Sequence, residues 1–446
     1  MSRADRGIEI VDLDVAGPLP EVVLGGVGGN DEALGRKVSK TLFAPRVGLV
    51  YRINEDTVFR TGYGVTYNPL PFARPLRGFY PASIGALFQQ NNTASWFSTL
   101  ADGIPAVVGP DTSSGRVALP NTVDMRHPQE DLSRGAIQSW NVSIERRLPL
   151  DISVDLGYVG TKGSDGFADL DINASDTPGG GNASRPLFAR FGRARDLKSW
   201  GRRLETEYHA LQMAINRPFK NGLLLKGAYT YSKAMNMADE DGWVGLTWNG
   251  ASQIDRNWAR AGYDRPHVFQ MGFVYELPFG RDSSNALSYV VKDWQVNGIF
   301  AAFSGAPFTI TADGGVLNMP GNAQTANQIG EFEVTGNVGS EGAWFDASAF
   351  QQPQGVVLGN TGRNAFRGPG QWRVDFSLFR GFAVGGTKRL EFRAEAFNLT
   401  NSLQYGDGTT GNPWGFSSRD VNNPNFGRVF VAHGERNIRL GLRFSF

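Results

Sequence analysis

Hydrophobic and polar positions alternate one for one at the end of the chain. In "NIRLGLRFSF", Asn437 to Phe446, the residues Ile438, Leu440, Leu442, Phe444 and Phe446 fall on one face of an extended strand, and Asn437, Arg439, Gly441, Arg443 and Ser445 fall on the other. A period of two is the strand period. The same pattern recurs upstream. "WNVSIERRL" sets Trp140, Val142 and Ile144 against Asn141, Ser143 and Glu145, and "LDISVDLGY" sets Leu150, Ile152, Val154, Leu156 and Tyr158 against Asp151, Ser153, Asp155 and Gly157. "NGLLLKGAYTYS", "HVFQMGFVYEL", "WRVDFSLFR" and "RLEFRAEAFNL" alternate likewise. Further strands read at Arg46 to Ile53, Thr57 to Tyr67, Tyr208 to Arg217 and Trp294 to Phe303, with a weaker one at Gly7 to Leu13. The pattern predicts about twelve strands and no amphipathic helix.

The connections between these strands alternate too. Asn54-Glu55-Asp56, Leu148-Pro149, Phe219 to Gly222 and Ala383 to Thr387 are tight, and Pro278 to Lys292 is of middling length. Between them lie long polar stretches: about Asn68 to Arg134, Thr161 to Glu207, Ser232 to Tyr263, Asp313 to Gln371 and Thr400 to Arg436. Globular domains rarely carry loops that long, whereas outer-membrane barrels pair short periplasmic turns with long external loops. The expected fold is therefore all-β, an antiparallel transmembrane β-barrel, apolar toward lipid and polar toward its lumen. Arg389, Glu391, Arg393 and Glu395 are expected to face that lumen beside Arg373 and Asp375 on the neighbouring strand. Trp140, Trp294, Trp372, Tyr158 and Tyr231 lie near strand ends, where a membrane girdle would place them. A soluble double-layered sheet would also alternate, but it explains neither the loop parity nor the terminal phenylalanine.

Composition narrows the partners. The chain has 446 residues with 44 basic and 43 acidic side chains, a net charge of +1, which gives no case for nucleic acid. It has no cysteine, so neither disulfides nor thiolate metal sites are available. No apolar run reaches the roughly 18 residues of a membrane-spanning helix, but a spanning strand needs only about 9–11 residues and alternates. The start, "MSRADRGIEI", lacks the basic-then-apolar pattern of a secretory signal. The outer membrane remains the expected address, with Met1 read as an internal start.

Catalytic chemistry is sparse. The four histidines, His127, His209, His267 and His433, show no metal-ligand spacing, and there is no G-x-S-x-G elbow. The expectation is a protein that is not an enzyme and has no cofactor. "DLDIN", Asp169 to Asn173, has the acidic spacing that opens a calcium loop but lacks its glycine and closing glutamate, so a solvated loop is expected. Trp243, Trp248 and Trp258 sit in one external loop, where they could stack on a sugar or aromatic ligand or pack the loop against itself. Arg202-Arg203 and "RFGRARDLK" could meet lipopolysaccharide phosphates or form a solvated face, the latter being expected. The glycine-rich "LGGVGGN" follows no strand–helix pattern and makes a poor phosphate loop.

The stretches "FAPRVGLVYRINEDTVFRTGYGVTYN", "YHALQMAINRPFKNGLLLKGAYTYSKAM", "DRPHVFQMGFVYELPFG", "GNTGRNAFRGPGQWRVDFSLFR" and "LEFRAEAFNLTN", collinear from Phe43 onward, resemble the barrel of the Oar-like TonB-dependent receptors. "RAEAFNLTN" followed by a closing strand that ends in phenylalanine is the most specific pair. The resemblance implies a barrel of about 22 strands around an N-terminal plug, of which residues 1–446 hold the C-terminal part. It implies capture of a scarce nutrient (an oligosaccharide, a peptide or a metal chelate) by external loops, and import driven by the TonB complex acting through the plug, which this chain does not show. It also implies lipid and lipopolysaccharide as surroundings, and a barrel-assembly machinery that engages the last strand through Phe446, Phe444, Leu442 and Leu440. A complete, smaller passive porin and a soluble β-rich binding protein remain alternatives.

Overall fold

A computed structural model describes residues 7–69, 80–85, 101–103, 106–239, 245–280, 288–406 and 412–446. Eleven long strands form one meandering sheet in which each pairs antiparallel with the next along the chain. They are β1 (Arg46–Asn54), β2 (Thr57–Tyr67), β3 (Ala136–Leu148), β4 (Ile152–Asp171), β5 (Leu197–Lys220), β6 (Leu223–Asn236), β7 (His267–Glu276), β8 (Trp294–Phe303), β9 (Gln371–Gly385), β10 (Lys388–Phe397) and β11 (Asn437–Ser445). All eleven coincide with expected strands. Short turns follow β1, β3, β5 and β9, a connection of middling length follows β7, and long loops follow the even-numbered strands.

Residues opposite each other across a strand pair point to the same face of a sheet. One continuous row across the wall runs Tyr51, Phe59, Ile144, Leu156, Met213, Tyr229, Phe269, Ala302, Trp372, without a charge. The next row, on the other face, runs Arg60, Ser143, Gly157, Gln212, Thr230, Val268, Phe303, Gln371. Among the described residues nothing covers the apolar face: Leu156, Leu211, Met213, Leu440 and Leu442 are all exposed, Leu440 at 73%. A water-soluble sheet buries such a face, since uncovered apolar area costs about 25 cal/mol per Å². The wall is built for lipid.

The rim of that face is aromatic. On the long-loop side, the Tyr158 hydroxyl hydrogen-bonds His209 Nδ1 at 2.6 Å and the Tyr229 hydroxyl hydrogen-bonds His267 Nδ1 at 2.8 Å. Farther along the sheet, Phe300 contacts Trp372 with ring centroids 6.4 Å apart. The Trp140 indole lies flat over Gly160, so close that a Cβ there would sit 2.3 Å from Trp140 Cε2. On the short-turn side, the Arg380 guanidinium covers the Trp294 ring at 5.3 Å.

The sheet is open, which corrects the expectation of a closed barrel. Every residue of β1 and of β11 is exposed, and each strand has one neighbour only. The expected strand at Gly7 to Leu13 is also not a stave. Its ordered part, Glu9–Asp12, is four residues long and pairs with Glu21–Leu24, which pairs with Arg116–Ala118. Four residues are too short to cross a bilayer. Their apolar sides join a small core of Val22, Leu24, Val117, Leu119, Met125 and Leu197 instead.

This collar rides on β4 and β5, whose 20 and 24 residues are about twice what a membrane crossing needs. Their surplus projects past the aromatic rim, and Met125–Pro128 lies parallel to the Leu197–Trp200 end of β5. Both ring nitrogens of His127 are buried there without a hydrogen-bond partner. Burial, and then the nearby Arg36 and Arg203, push its imidazole down to about 4.

Two outcomes follow. Gly160→Val displaces the Trp140 indole and destabilises the wall by about 1–3 kcal/mol, measured as a lower unfolding midpoint in detergent; an unchanged midpoint would mean the indole swings aside freely. The second concerns pH. A depressed histidine pKa means that the unfolded collar binds a proton below 6.5 while the folded one stays neutral down to about 4. Collar stability is therefore full above 6.5 and lost as pH falls through that window. Amide exchange at 125–127 and 197–200 is expected to accelerate between pH 6.5 and 4, and His127→Phe to flatten that dependence; the same acceleration in the variant would refute it.

Candidate ligand-binding surface

The long loops, expected to be polar connections, form a folded crown over the external end of the wall. The loops after β8 and β10 share an aromatic core centred on Phe308, which is fully buried; its ring centroid lies 4.9 Å from that of Phe416 and 5.9 Å from that of Phe345. Trp344, Phe350, Phe366 and Trp414 complete it. Arginines pin this core to the loop after β6. Arg256 donates to Gly359 O at 2.6 Å, Arg260 to Ala365 O at 3.1 Å, Arg363 to Asn236 O, and Arg367 holds the buried Asp264 carboxylate. Asn322 ties the crown onward: its Oδ1 accepts from Asn249 N at 2.9 Å and its Nδ2 donates to Ser175 O at 2.8 Å.

Of the three loop tryptophans, Trp243 lies outside the described residues. Trp248 is fully buried; its Nε1 donates to Ala323 O at 2.9 Å and Arg256 stacks on its ring at 5.0 Å. It packs the crown and has no free face for a ligand, which corrects one of the two readings of this residue. Trp258 is 39% exposed and lines a cavity of about 450 Å³ with Lys162, Glu205, Glu207 and Asp255.

The candidate lumen charges all lie on the polar face, but their neighbours differ from expectation. Arg389, Glu391, Arg393 and Glu395 stand opposite Ala383, Gly381, Phe379 and Ser377 of β9, because the strands pair from their shared turn. Arg373 and Asp375 lie farther along, opposite Ala301 and Ile299 of β8. The cross-strand charge partners are on β11 instead, where Glu391 faces Arg443 and Glu395 faces Arg439. Arg373 pairs with Asp375 of its own strand at 3.2 Å, and Arg393 with Glu391 likewise. Phe444, Leu442 and Leu440 face lipid, and Phe446 is 91% exposed at the short-turn end.

The remaining loop motifs are structural. Arg202 is bound by Asp131 at 2.7 Å and Asp165 at 2.8 Å, and the buried Arg193 donates to the carbonyls of Pro120, Val123 and Asp196. "DLDIN" is not a solvated loop: Asp169, Asp171 and Asn173 are buried. Asp171 Oδ1 accepts from Asn173 N and Leu197 N, both at 3.0 Å, and so closes the tip of the β4–β5 hairpin. Among the described residues, no three His, Asp or Glu side chains converge to hold a metal ion.

Two concavities open on the polar face. One, of about 390 Å³ at mid-wall, is lined by Lys226, Asn297, Asp375, Ser377 and Glu395. The other, of about 300 Å³ at the external mouth, is lined by Tyr208, Gln212, Thr230, Ser232, Tyr263 and Arg265. The period of two places the first four of these inward, but a loop arginine such as Arg265 carries no sequence signal of where it will land. The mouth groove offers hydroxyl, amide and guanidinium donors beside tyrosine rings, a chemistry of binding and not of bond-making.

An apolar exposed wall, a polar inner face, aromatic rims and external loops together describe a bacterial outer-membrane protein. Solved structures with a similar course include the ferric-catecholate import receptor Fiu of Escherichia coli K12 (11% identity, TM-score 0.39, 95% of this chain and 40% of that one). Others are the outer membrane transporter YddB of Escherichia coli (9%, 0.45, 95% and 42%) and the siderophore receptor PiuA of Acinetobacter baumannii (9%, 0.41, 95% and 38%). The chain thus spans 38–42% of the length of these three. No curated protein matches it significantly. The family model described as "Outer membrane beta barrel domain" matches residues 2–439, and the chain belongs to that family.

Proposed function

We propose that this chain is the C-terminal part of the barrel of an Oar-like TonB-dependent receptor, which captures a scarce nutrient at its external mouth and imports it with energy delivered through a plug. One observation carries the reading. Among the described residues the wall has eleven strands, an odd number, so β1 and β11 run in the same direction. Joining them directly would make a parallel seam in an antiparallel cylinder. It would also bring Arg46 and Arg52 on the polar side of β1 against Arg439 and Arg443 on that of β11, and like charges across a seam repel. An antiparallel closure needs an odd number of further strands, and a barrel of about 22 would supply eleven. Oligosaccharide, peptide and metal chelate all remain candidate cargo on this reading. Phe446, Phe444, Leu442 and Leu440 form the surface offered to the assembly machinery, and lipopolysaccharide surrounds the rim.

An antibody against the crown is expected to detect, in host outer membranes, a polypeptide longer than these 446 residues, and loss of TonB to stop uptake of its cargo. A 446-residue band alone, forming a channel that conducts without TonB, would replace the proposal with a passive porin. Deleting Phe446 is expected to lower outer-membrane yield several-fold more than deleting the exposed loop residue Gly355. Equal yields would remove the assembly role of the terminal ring.

A further inference from the structure

The polar face holds many charges, and several of them are paired. Arg60 is paired with Glu145 at 2.6 Å, Arg373 with Asp375 at 3.2 Å, and Arg393 with Glu391. Arg265 is different. It sits two residues before β7 and lines the mouth groove, and among the described residues its guanidinium has no hydrogen bond and no ion pair. The adjacent Asp264 carboxylate attracts it but makes its direct bonds elsewhere. Asp264 Oδ1 accepts from Ala234 N at 2.7 Å and Oδ2 holds Arg367. Among the described residues Asp264 is the carboxylate that acts on this partly buried cation, and it does so without a direct bond, with a second arginine opposing it; the guanidinium donors therefore stay available to an anionic ligand.

The rest of the groove describes the anion. Thr230 and Gln212 offer hydroxyl and amide groups, the Ser232 hydroxyl donates to Arg265 O at 3.1 Å, and the rings of Tyr208 and Tyr263 flank them, Tyr263 being 62% exposed. Aromatic faces beside hydroxyl and amide donors suit a flat, hydroxyl-rich ligand. A planar guanidinium suits a carboxylate, which it can hold through two parallel bonds. The groove's volume of about 300 Å³ is at the lower end for a small-molecule pocket, enough for one or two sugar rings.

We propose that the mouth groove binds an acidic sugar, with Arg265 on the carboxylate and Tyr208 and Tyr263 against the ring faces. This deepens the receptor reading and rests on it, since the groove lies on the inner wall only if the sheet closes as a barrel. It narrows the cargo to an oligosaccharide that carries uronic acid.

The test uses the protein extracted in detergent from outer membranes of its natural host. Short galacturonic-acid oligomers and the equivalent neutral galactose oligomers are titrated against it by calorimetry. The wild type is expected to bind the acidic oligomer at least about tenfold tighter than the neutral one. Arg265→Gln is expected to erase that preference, bringing the acidic oligomer to the affinity of the neutral one, and Arg265→Lys to restore much of it. Equal affinities in the wild type, or an undiminished preference in Arg265→Gln, would overturn the proposal. The wild-type comparison decides it even if the glutamine variant fails to assemble. Recovery of the protein in the soluble fraction would refute the barrel reading instead, whereas an outer-membrane protein that shows no acidic preference refutes only this inference.

Discussion

Hydrocarbon offers no partner to a backbone amide, and this constraint organises the whole wall. Each unsatisfied N–H or C=O costs several kcal/mol there, so a strand crosses a bilayer only with a neighbour on both sides. From β2 to β10 every strand meets that condition. β1 and β11 meet it on one side only. Their free edges, nine residues each, are far more expensive in lipid than any side-chain feature of the sheet. The sidedness of the strands and the incompleteness of the sheet therefore say the same thing. This surface is made for a membrane, and a membrane demands that both edges be covered. The like charges of Arg46, Arg52, Arg439 and Arg443 disfavour joining the two edges directly.

The crown answers a different constraint. A loop that projects into water can satisfy its amides with solvent, so nothing about the backbone demands order. Order there comes from apolar burial and from arginine. Phe308 and its surrounding rings form a core that lies wholly outside the wall. Arg256, Arg260, Arg363 and Arg367 donate to carbonyls and carboxylates of neighbouring loops, which fixes the loops relative to one another. A mouth held in this way presents a fixed arrangement of side chains. Preorganised groups lose less entropy on binding than loops that must first be ordered.

This division explains what was legible beforehand. Wall strands obey a strict period because one side meets lipid and the other meets water, so all eleven could be placed from alternation alone, Thr57–Tyr67 and Trp294–Phe303 to the residue. The inward direction of Arg373, Asp375, Arg389, Glu391, Arg393 and Glu395 came from the same parity. Their partners did not, because register depends on which residues the turn at Gly386 and Thr387 brings opposite, and a period of two is blind to register. The crown was illegible for a related reason. Its core joins residues more than a hundred positions apart, such as Phe308 and Phe416, which no local pattern links. For the same cause alternation could not decide whether Trp248 packs its loop or meets a ligand: its burial is made by Ala323 and Arg256, and the contact with Ala323 spans two loops. The short strand Glu9–Asp12 alternates like a stave, but length separates the two cases, since four residues cannot cross the apolar layer.

The inner face then poses one last question, which is how a lumen full of charge can still discriminate. Paired charges such as Arg60 with Glu145 or Arg393 with Glu391 hold each other's fields close and leave little for a passing solute. In a wet lumen such pairs contribute modestly to stability and mainly set the geometry of the wall. Selectivity has to come from groups that the protein itself leaves incomplete. Among the described residues lining the mouth groove, the guanidinium of Arg265 is such a group: it is partly desolvated, the neighbouring Asp264 carboxylate makes its direct bonds to Ala234 N and Arg367, and it opens on a cavity of about 300 Å³. A polar wall becomes a filter where a charge at its entrance keeps its donors open to a solute.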